Sequence, residues 1–267
     1  MKRDTTMLFT TKRLIVVVIV STVVGLLLSP AMSVAAPINY GDFTGTTVMY
    51  LDVTENTNTG DDQPLFGAPT VAGDSIDFDP SGFSASSSGG GAPDLTDGQL
   101  TFMIMAQEGK AINNVTFSEA GDASLARSLD TTDDALTSVT SNIFIDILEV
   151  HGAPINAINV QGEMTFAPSD GSYTLSEDGS GGATFNTGWT GSFFVDLTGV
   201  DGVNGLITKV SVNIDNVLTA SSATNSTAFI AKKDFDGVTI ATNIPEPTTA
   251  LLAVSGLLAM ACSRRRV

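Results

Sequence analysis

Side chains that could bind a metal ion occur in this sequence as carboxylate pairs within Gly-, Ser- and Pro-rich segments. The stretch DFDPSG, which begins at Asp77 and includes Asp79, has the D-x-D-x-S-G opening of a calcium-binding loop. Position twelve of that loop is Ser88, where calcium loops place a bidentate Glu. Asp61 and Asp62 form a second pair in TNTGDDQP. These four aspartates are the calcium candidates, and a solvated turn is the alternative for each.

Residues suited to nucleophilic catalysis are few. His151, the single histidine, lies in EVHGAP, which predicts a strand end followed by a turn. The single cysteine, Cys262, lies close to the C-terminus. The sequence contains no G-x-S-x-G, H-E-x-x-H, P-loop or dinucleotide-binding motif. We therefore predict a protein without catalytic residues or a bound cofactor. A glycosidase that uses two of the many carboxylates is a less favoured alternative.

The central part of the chain is strongly acidic. The whole chain of 267 residues has 12 Lys and Arg against 29 Asp and Glu. Residues 36–247 contain 5 of the basic and 28 of the acidic residues, which gives this region a net charge of −23. Such a surface repels nucleic acid and anionic lipid and attracts cations. The region has no cysteine, so its stability must come from packing without disulfides.

The N-terminus has the pattern of a secretory signal peptide. Four basic residues within the first 13 precede the apolar run 14–28, and small residues follow it. Ser33 and Ala35 fit the small-x-small rule for signal peptidase, so we predict cleavage after Ala35. The chain is therefore expected to be exported.

The C-terminus combines an extended tripeptide, an apolar segment and a basic cluster. The apolar segment, residues 250–262, would span ~20 Å as a helix, short of the ~30 Å hydrocarbon core of a membrane. The prolines before it favour extended backbone, which an enzyme could bind just outside the bilayer. The basic cluster would stay on the cytoplasmic side. The residues of this signal are Pro245, Glu246, Pro247, Arg264, Arg265 and Arg266.

This order of elements resembles a PEP-CTERM sorting signal. The resemblance covers residues 244–267 and implies cleavage by an exosortase, a membrane-embedded cysteine transpeptidase of Gram-negative-type bacteria that make extracellular polysaccharide. The central region is loosely similar to secreted β domains of planctomycetes that carry such tails. The implied partners are signal peptidase, the exosortase-like enzyme and extracellular polysaccharide, with no nucleic acid. The implied destination is the cell surface or extracellular matrix, reached through transient membrane insertion of the tail.

The central region predicts β-strands because apolar and polar residues alternate with a period of two. In LITKVSVNID, Leu206, Val210 and Ile214 fall on one face. SNIFIDILEV is apolar on both faces, as expected deep in a sandwich, and turns rich in Gly, Asp, Asn and Ser separate such runs. We predict an all-β fold with a single β-sandwich, jelly-roll-like or immunoglobulin-like. It occupies residues 36–243, between a signal helix within 1–35 and a sorting helix within 244–267.

Two further patterns concern the surface of the sandwich. STAFIAKKDF contains the end of a late strand at Lys232 and Lys233, charges that are typical of an exposed edge strand. Trp189 lies among Gly and Thr in NTGWTGS, which predicts a loop. There the ring either stacks on a sugar or closes one end of the core. We predict an exported structural or adhesive protein, and the alternative is a lectin-like, calcium-assisted carbohydrate-binding module.

Overall fold

The computed structural model describes residues 36–129, 131–175 and 184–233 in full, and the backbone of residues 238–243. The predicted signal peptide with its cleavage site, and the sorting tail with its Pro-Glu-Pro and Arg cluster, lie outside the described residues. Within the described ranges the chain forms fifteen strands and one 3-10 turn, Ser169–Gly171. The strands are β1 Ile38–Thr44, β2 Val48–Thr57, β3 Thr70–Ala72, β4 Ser75–Phe78, β5 Ser84–Ser88, β6 Asp94–Ala106, β7 Asn114–Arg127, β8 Ala135–Val150, β9 Ala153–Glu163, β10 Thr165–Ala167, β11 Ser172–Leu175, β12 Thr184–Asp196, β13 Ile207–Ser222, β14 Ser226–Lys232 and β15 Val238–Asn243.

The strands form two antiparallel sheets that pack as a β-sandwich, which confirms the predicted all-β fold. The first sheet has the order β1-β2-β6-β13-β8, and the far edge of β8 pairs with β11 at one end and β9 at the other. The second sheet has the order β10-β12-β7, and the far edge of β7 pairs with β14 and with β15. Strand β5 continues from β14, and β4 and β3 continue from β15. The inward side chains of both sheets form one apolar core.

The alternation of β13 positions the centre of the first sheet. Val210, Val212 and Ile214 are fully buried, as the sequence predicts, and their polar neighbours point outward. The prediction is wrong at the start of the strand, where Leu206 is 53% exposed and Ile207 is buried. Register shifts in the pairing with β8 occur at this point, and a bulge of this kind exchanges the two faces of a strand.

Aromatic rings fill much of the space between the sheets. Tyr50 and Phe102 meet edge to face with ring centroids 6.0 Å apart, and Phe66 meets Phe83 in the same way at 5.1 Å. All four rings are at most 1% exposed. Burying each of these large side chains stabilises the fold by on the order of 2–3 kcal/mol.

The part of the chain that the structure describes contains no helix long and apolar enough to cross a membrane.

A buried carboxylate holds the loop between β2 and β3. Glu55 is fully buried, and its two oxygens accept hydrogen bonds from the backbone N–H groups of Leu65, Phe66 and Gly67, the last two at 3.1 Å. Tyr40 donates its hydroxyl to the same carboxylate at 2.8 Å. Burial, followed by this hydrogen bond, raises the pKa of Tyr40. The loop therefore packs its aromatic and aliphatic side chains inward around the Glu55 carboxyl group.

Replacing this carboxylate by an amide tests its role. In Glu55→Gln, one oxygen becomes an NH₂ group that faces backbone donors, so at least one buried N–H loses its partner. We expect the free energy of unfolding to fall by about 3 kcal/mol, measured by urea denaturation. Glu108→Gln, at an exposed position in the turn after β6, is the matched control and should change little. Equal stability of the two variants would contradict the proposed role of Glu55.

Candidate functional site

The outer face of the first sheet is polar across five neighbouring strands. Side chains of β2, β6, β13, β8 and β9 that point away from the core stand opposite one another in rows, about 4.8 Å apart from strand to strand. We call three of these rows the polar face. The first row is Asn56, Gln99, Asp215, Asn142 and Glu163; the second is Thr54, Thr101, Asn213, Phe144 and Gln161; the third is Leu51, Met103, Ser211, Asp146 and Asn159.

Hydrogen bonds within the polar face orient some of its side chains and leave acceptors open. Asn213 Nδ2 donates to Thr101 Oγ1 at 3.2 Å, and Asn159 Nδ2 donates to Asp146 Oδ1 at 3.1 Å. No donor from the described protein reaches Asn56 Oδ1 or Asp215 Oδ1, although both atoms are buried. Buried acceptors are nearly always satisfied in native proteins, so these two atoms require donors from water or from a ligand.

Two carboxyl groups meet at one end of the polar face. Asp97 is opposite Val217 and Asp215 is opposite Gln99, so the two acids are diagonal neighbours on the same face of β6 and β13. Burial raises the pKa of Asp215, and the negative charge of Asp97 and a hydrogen bond between the two carboxyl groups raise it further. The pair can share a proton or hold a cation. The sequence analysis did not single it out.

A pocket of about 390 Å³ continues the polar face at the edge of the sheet. After β9 the chain leaves the first sheet, forms β10 beside β12 in the second sheet, and returns to the first sheet as β11. Part of the β8 edge, between β9 and β11, therefore has no neighbouring strand, and the pocket lies there. Glu163, Asn142 and Asp170 line it, together with Ser141. Asp170 has a positive φ of 50°, which turns the chain sharply beside the pocket. Ser141 Oγ is buried without a hydrogen-bond partner.

The structure decides between the two roles that the sequence left open for Trp189, and it exposes a different aromatic ring. Trp189 lies within strand β12 and not in a loop; it is 2% exposed and contacts Phe166 edge to face at 5.9 Å. Its ring is therefore part of the core and is not available for stacking on a sugar. The exposed aromatic of the polar face is Phe144, at 39% exposure. The outer face of β8 is thus solvent-accessible at this residue, where the sequence predicted burial on both faces.

The calcium candidates lie in separate local structures. Asp77 is inside β4, and Asp79 follows that strand in an exposed segment. Asp61 accepts a hydrogen bond from the Thr59 hydroxyl, and Asp62 is exposed. Among the described residues, no group of three or more His, Cys, Asp and Glu is arranged to hold a metal ion. Calcium binding by these aspartates stays a prediction.

His151 occupies the turn that the sequence predicted. Strand β8 ends at Val150, and His151 begins the turn to β9 with a positive φ of 53°. Its backbone N–H donates to the Leu206 carbonyl at 2.7 Å, and its Nε2 accepts from the Leu206 N–H at 3.4 Å. These contacts give His151 a structural place at the end of the sandwich.

Comparisons with known proteins give only distant similarities. No protein-family model matches the chain, and no curated protein matches it. The enzymatically active domain of bacteriophage CBA120 tailspike protein 4 is similar at 15% identity and a TM-score of 0.23, over 79% of this chain and 20% of that one. CBM28, a carbohydrate-binding module specific for non-crystalline cellulose, is similar at 16% identity and a TM-score of 0.17, over 53% and 65% respectively. The chain therefore spans less than two thirds of the length of either protein.

The carboxyl pair of the polar face makes stability depend on pH in a defined direction. Because the pKa of Asp215 is raised in the fold, the folded state holds a proton that the unfolded chain loses near pH ~4, and stability falls as the pH rises above that value. We expect Asp215→Asn to increase the midpoint of urea denaturation at neutral pH. At about pH 3 it should have little effect, because the protonated Asp and the Asn that replaces it are then both uncharged.

Two further variants make this prediction specific. Asp97→Asn should give a similar increase, and the double variant should add less than the sum, because either substitution alone removes the repulsion. Asp196→Asn is the control of opposite sign: hydrogen bonds from the Thr198 hydroxyl and backbone lower the pKa of Asp196, so its loss should not stabilise the protein. A decrease in the midpoint for Asp215→Asn at neutral pH would contradict the assignment.

Proposed function

We propose that this protein is an exported, non-enzymatic adhesin of the cell surface or extracellular matrix, which binds polysaccharide through the polar face. The observation that carries the proposal is the array of amide, hydroxyl and carboxylate side chains over five strands, with Phe144 in its middle row. Such groups match the hydroxyls of a sugar chain, and an exposed ring offers a surface for the apolar side of a pyranose. The edge pocket adds Glu163 and Asp170 at one end.

Charge narrows the class of polysaccharide. The central region carries a net charge of −23, and the polar face and edge pocket contain the acids Asp215, Asp146, Glu163 and Asp170. This field repels acidic polysaccharides unless cations screen it, so a neutral polymer is the favoured ligand. The carboxyl pair Asp97 and Asp215 would supply two oxygen-bearing groups to calcium-assisted binding, the alternative form of the same function.

A carboxylate-pair glycosidase receives less support. Its two acids must flank a sugar, at a separation of ~5–5.5 Å for a retaining enzyme and more for an inverting one. Asp97 and Asp215 are in hydrogen-bond contact, which leaves no room for a substrate between them. The proposed role is therefore binding, and the multivalent display of many copies in a matrix would compensate for weak single sites.

Substitution of the exposed ring tests the binding face. We expect Phe144→Ala to weaken binding to neutral polysaccharides about tenfold, because stacking and apolar contact of one ring are worth ~1–1.5 kcal/mol. Affinity electrophoresis in gels that contain cellulose derivatives, glucans or mannans provides the measurement, with and without calcium. Phe194→Ala is the matched control, since Phe194 is 62% exposed on the outer face of the second sheet. Equal affinities of Phe144→Ala and the unmodified protein would contradict the proposal.

The proposed route to the surface rests on the terminal sequences and has its own test. Intact mass of protein from membrane and extracellular fractions of the producing cells should show a species that begins after Ala35 and ends near Pro247. In that species Arg264, Arg265 and Arg266 are absent. An uncut chain that keeps these arginines in the membrane fraction would contradict sorting by an exosortase-type enzyme, and would indicate a tail-anchored envelope protein.

A further inference from the structure

Three polar side chains from three strands meet between the two sheets. Lys232 of β14 places Nζ 2.5 Å from Glu119 Oε2 of β7, and Asn216 Nδ2 of β13 donates to the same oxygen at 3.0 Å. The side chains of Lys232 and Glu119 are fully buried, and Asn216 is 0% exposed. One carboxylate oxygen therefore holds the lysine amine and the asparagine amide side by side. Lys232 is not the exposed edge charge that the sequence predicted, because β14 pairs on both sides, with β5 and β7.

The surroundings of these three side chains are apolar and aromatic. Lys232 Nζ lies 5.3 Å from the centre of the Phe83 ring and 5.4 Å from that of Trp189. Any side chain at Gly121 would place its Cβ against the Trp189 ring and the Ala231 carbonyl. The glycine thus makes room for the indole, and the amine lies over the indole ring. The rings and the two sheets separate the group from bulk water.

An ordinary ion pair does not account for this arrangement. Buried ion pairs need further hydrogen bonds to offset the loss of hydration, yet Glu119 Oε1 and Asn216 Oδ1 have no partner among the described residues. Burial is the largest influence on both charged groups: it raises the pKa of Glu119 and lowers that of Lys232, against their mutual attraction. Both directions favour a neutral amine and a protonated acid. A neutral amine beside a carboxamide and a proton carrier is a reactive combination.

We propose that Lys232 and Asn216 form an intramolecular amide bond, with Glu119 as the acid and base. The Nζ lone pair of Lys232 attacks Cγ of Asn216. The protonated carboxyl group of Glu119 gives its proton to Nδ2, the atom it already contacts, and the resulting carboxylate accepts the proton that the attacking nitrogen loses. The bond from Nζ to Cγ forms, the bond from Cγ to Nδ2 breaks, and ammonia leaves. The reaction is a transamidation and needs no oxidant, cofactor or second molecule.

The position of the bond matches a structural need of the fold. Asn216 belongs to the first sheet and Lys232 to the second, so the amide joins the two layers of the sandwich through their core. The central region of the chain contains no cysteine and cannot form a disulfide. An amide would supply a covalent connection that reducing conditions do not break. This inference does not depend on what the polar face binds.

Mass spectrometry of the purified folded protein tests the proposal directly. We expect the intact mass to be lower, by one ammonia, than the mass calculated for the sequence between the termini that the protein actually has. We also expect a protease digest to contain a branched peptide that joins residues 216 and 232. An intact mass without this loss would overturn the proposal. So would loss of ammonia at another place with a free Lys232, for example by cyclisation at Asn204, which precedes Gly205.

Variants separate the three roles and keep the test independent of folding defects. Lys232→Arg and Asn216→Ala should lose the branched peptide, and Glu119→Gln should lose it although both reacting residues remain. Asn216→Asp should form the same bond with loss of water, and so reach the same final mass as the linked unmodified protein. A branched peptide of normal yield in folded Glu119→Gln would overturn the role of Glu119. The result for the unmodified protein decides the bond itself even where a variant does not fold.

Discussion

Exclusion of water from the space between the two sheets governs what each residue of this protein can do. The strands of the sandwich have one face towards the core and one towards solvent. A polar group on the core-facing side must find its hydrogen-bond partner within the protein. Glu55 satisfies this requirement with four donors, one from β1 and three from the loop between β2 and β3. Glu119, Lys232 and Asn216 satisfy it only in part, since two of their oxygens have no partner. The same constraint therefore produces a fully hydrogen-bonded carboxylate at Glu55 and an incompletely hydrogen-bonded group at Glu119, Lys232 and Asn216.

The solvent-facing side of the same strands carries polar side chains that stay in contact with water. On β13, Ile214 and Asn216 point into the core, whereas Asn213 and Asp215, which alternate with them, belong to the polar face. The polar face is therefore as rigid as the sheet below it, because each of its side chains comes from a strand that is paired on both sides or packed on the core. Rigid presentation lowers the entropy lost on binding, which suits a surface that contacts repeating polymers through many weak hydrogen bonds. The proposed adhesive role and the proposed amide bond both benefit from this rigidity.

Alternation alone predicts the fold class and most of the core, but not the features that depend on pairing. It places Val210 to Ile214 correctly and fails at Leu206, where a bulge changes the register. The alternation also contains a second signal. Glu119 falls on the same face of its strand as Val115 and Phe117, and Lys232 falls on the same face as Ala228 and Ile230. Polar residues on an apolar face indicate a buried polar group. The contact of Asp97 with Asp215 follows from the pairing of strands more than 100 residues apart. The contact of Glu119 with Asn216 follows from the packing of one sheet on the other. No local pattern contains either contact.

The place of β15 in the second sheet fixes the order in which this protein can assemble. Its backbone runs between β7 and β4, so the last described strand joins two parts of the chain that were made long before it. Until it arrives, residues 114–118 of β7 and the facing edge of β4 present unpaired backbone groups, the kind of edge that recruits other chains. Contacts of such long range also slow folding. A chain that emerges from its N-terminus would thus remain incomplete, and prone to associate with its neighbours, until its C-terminal segment has followed.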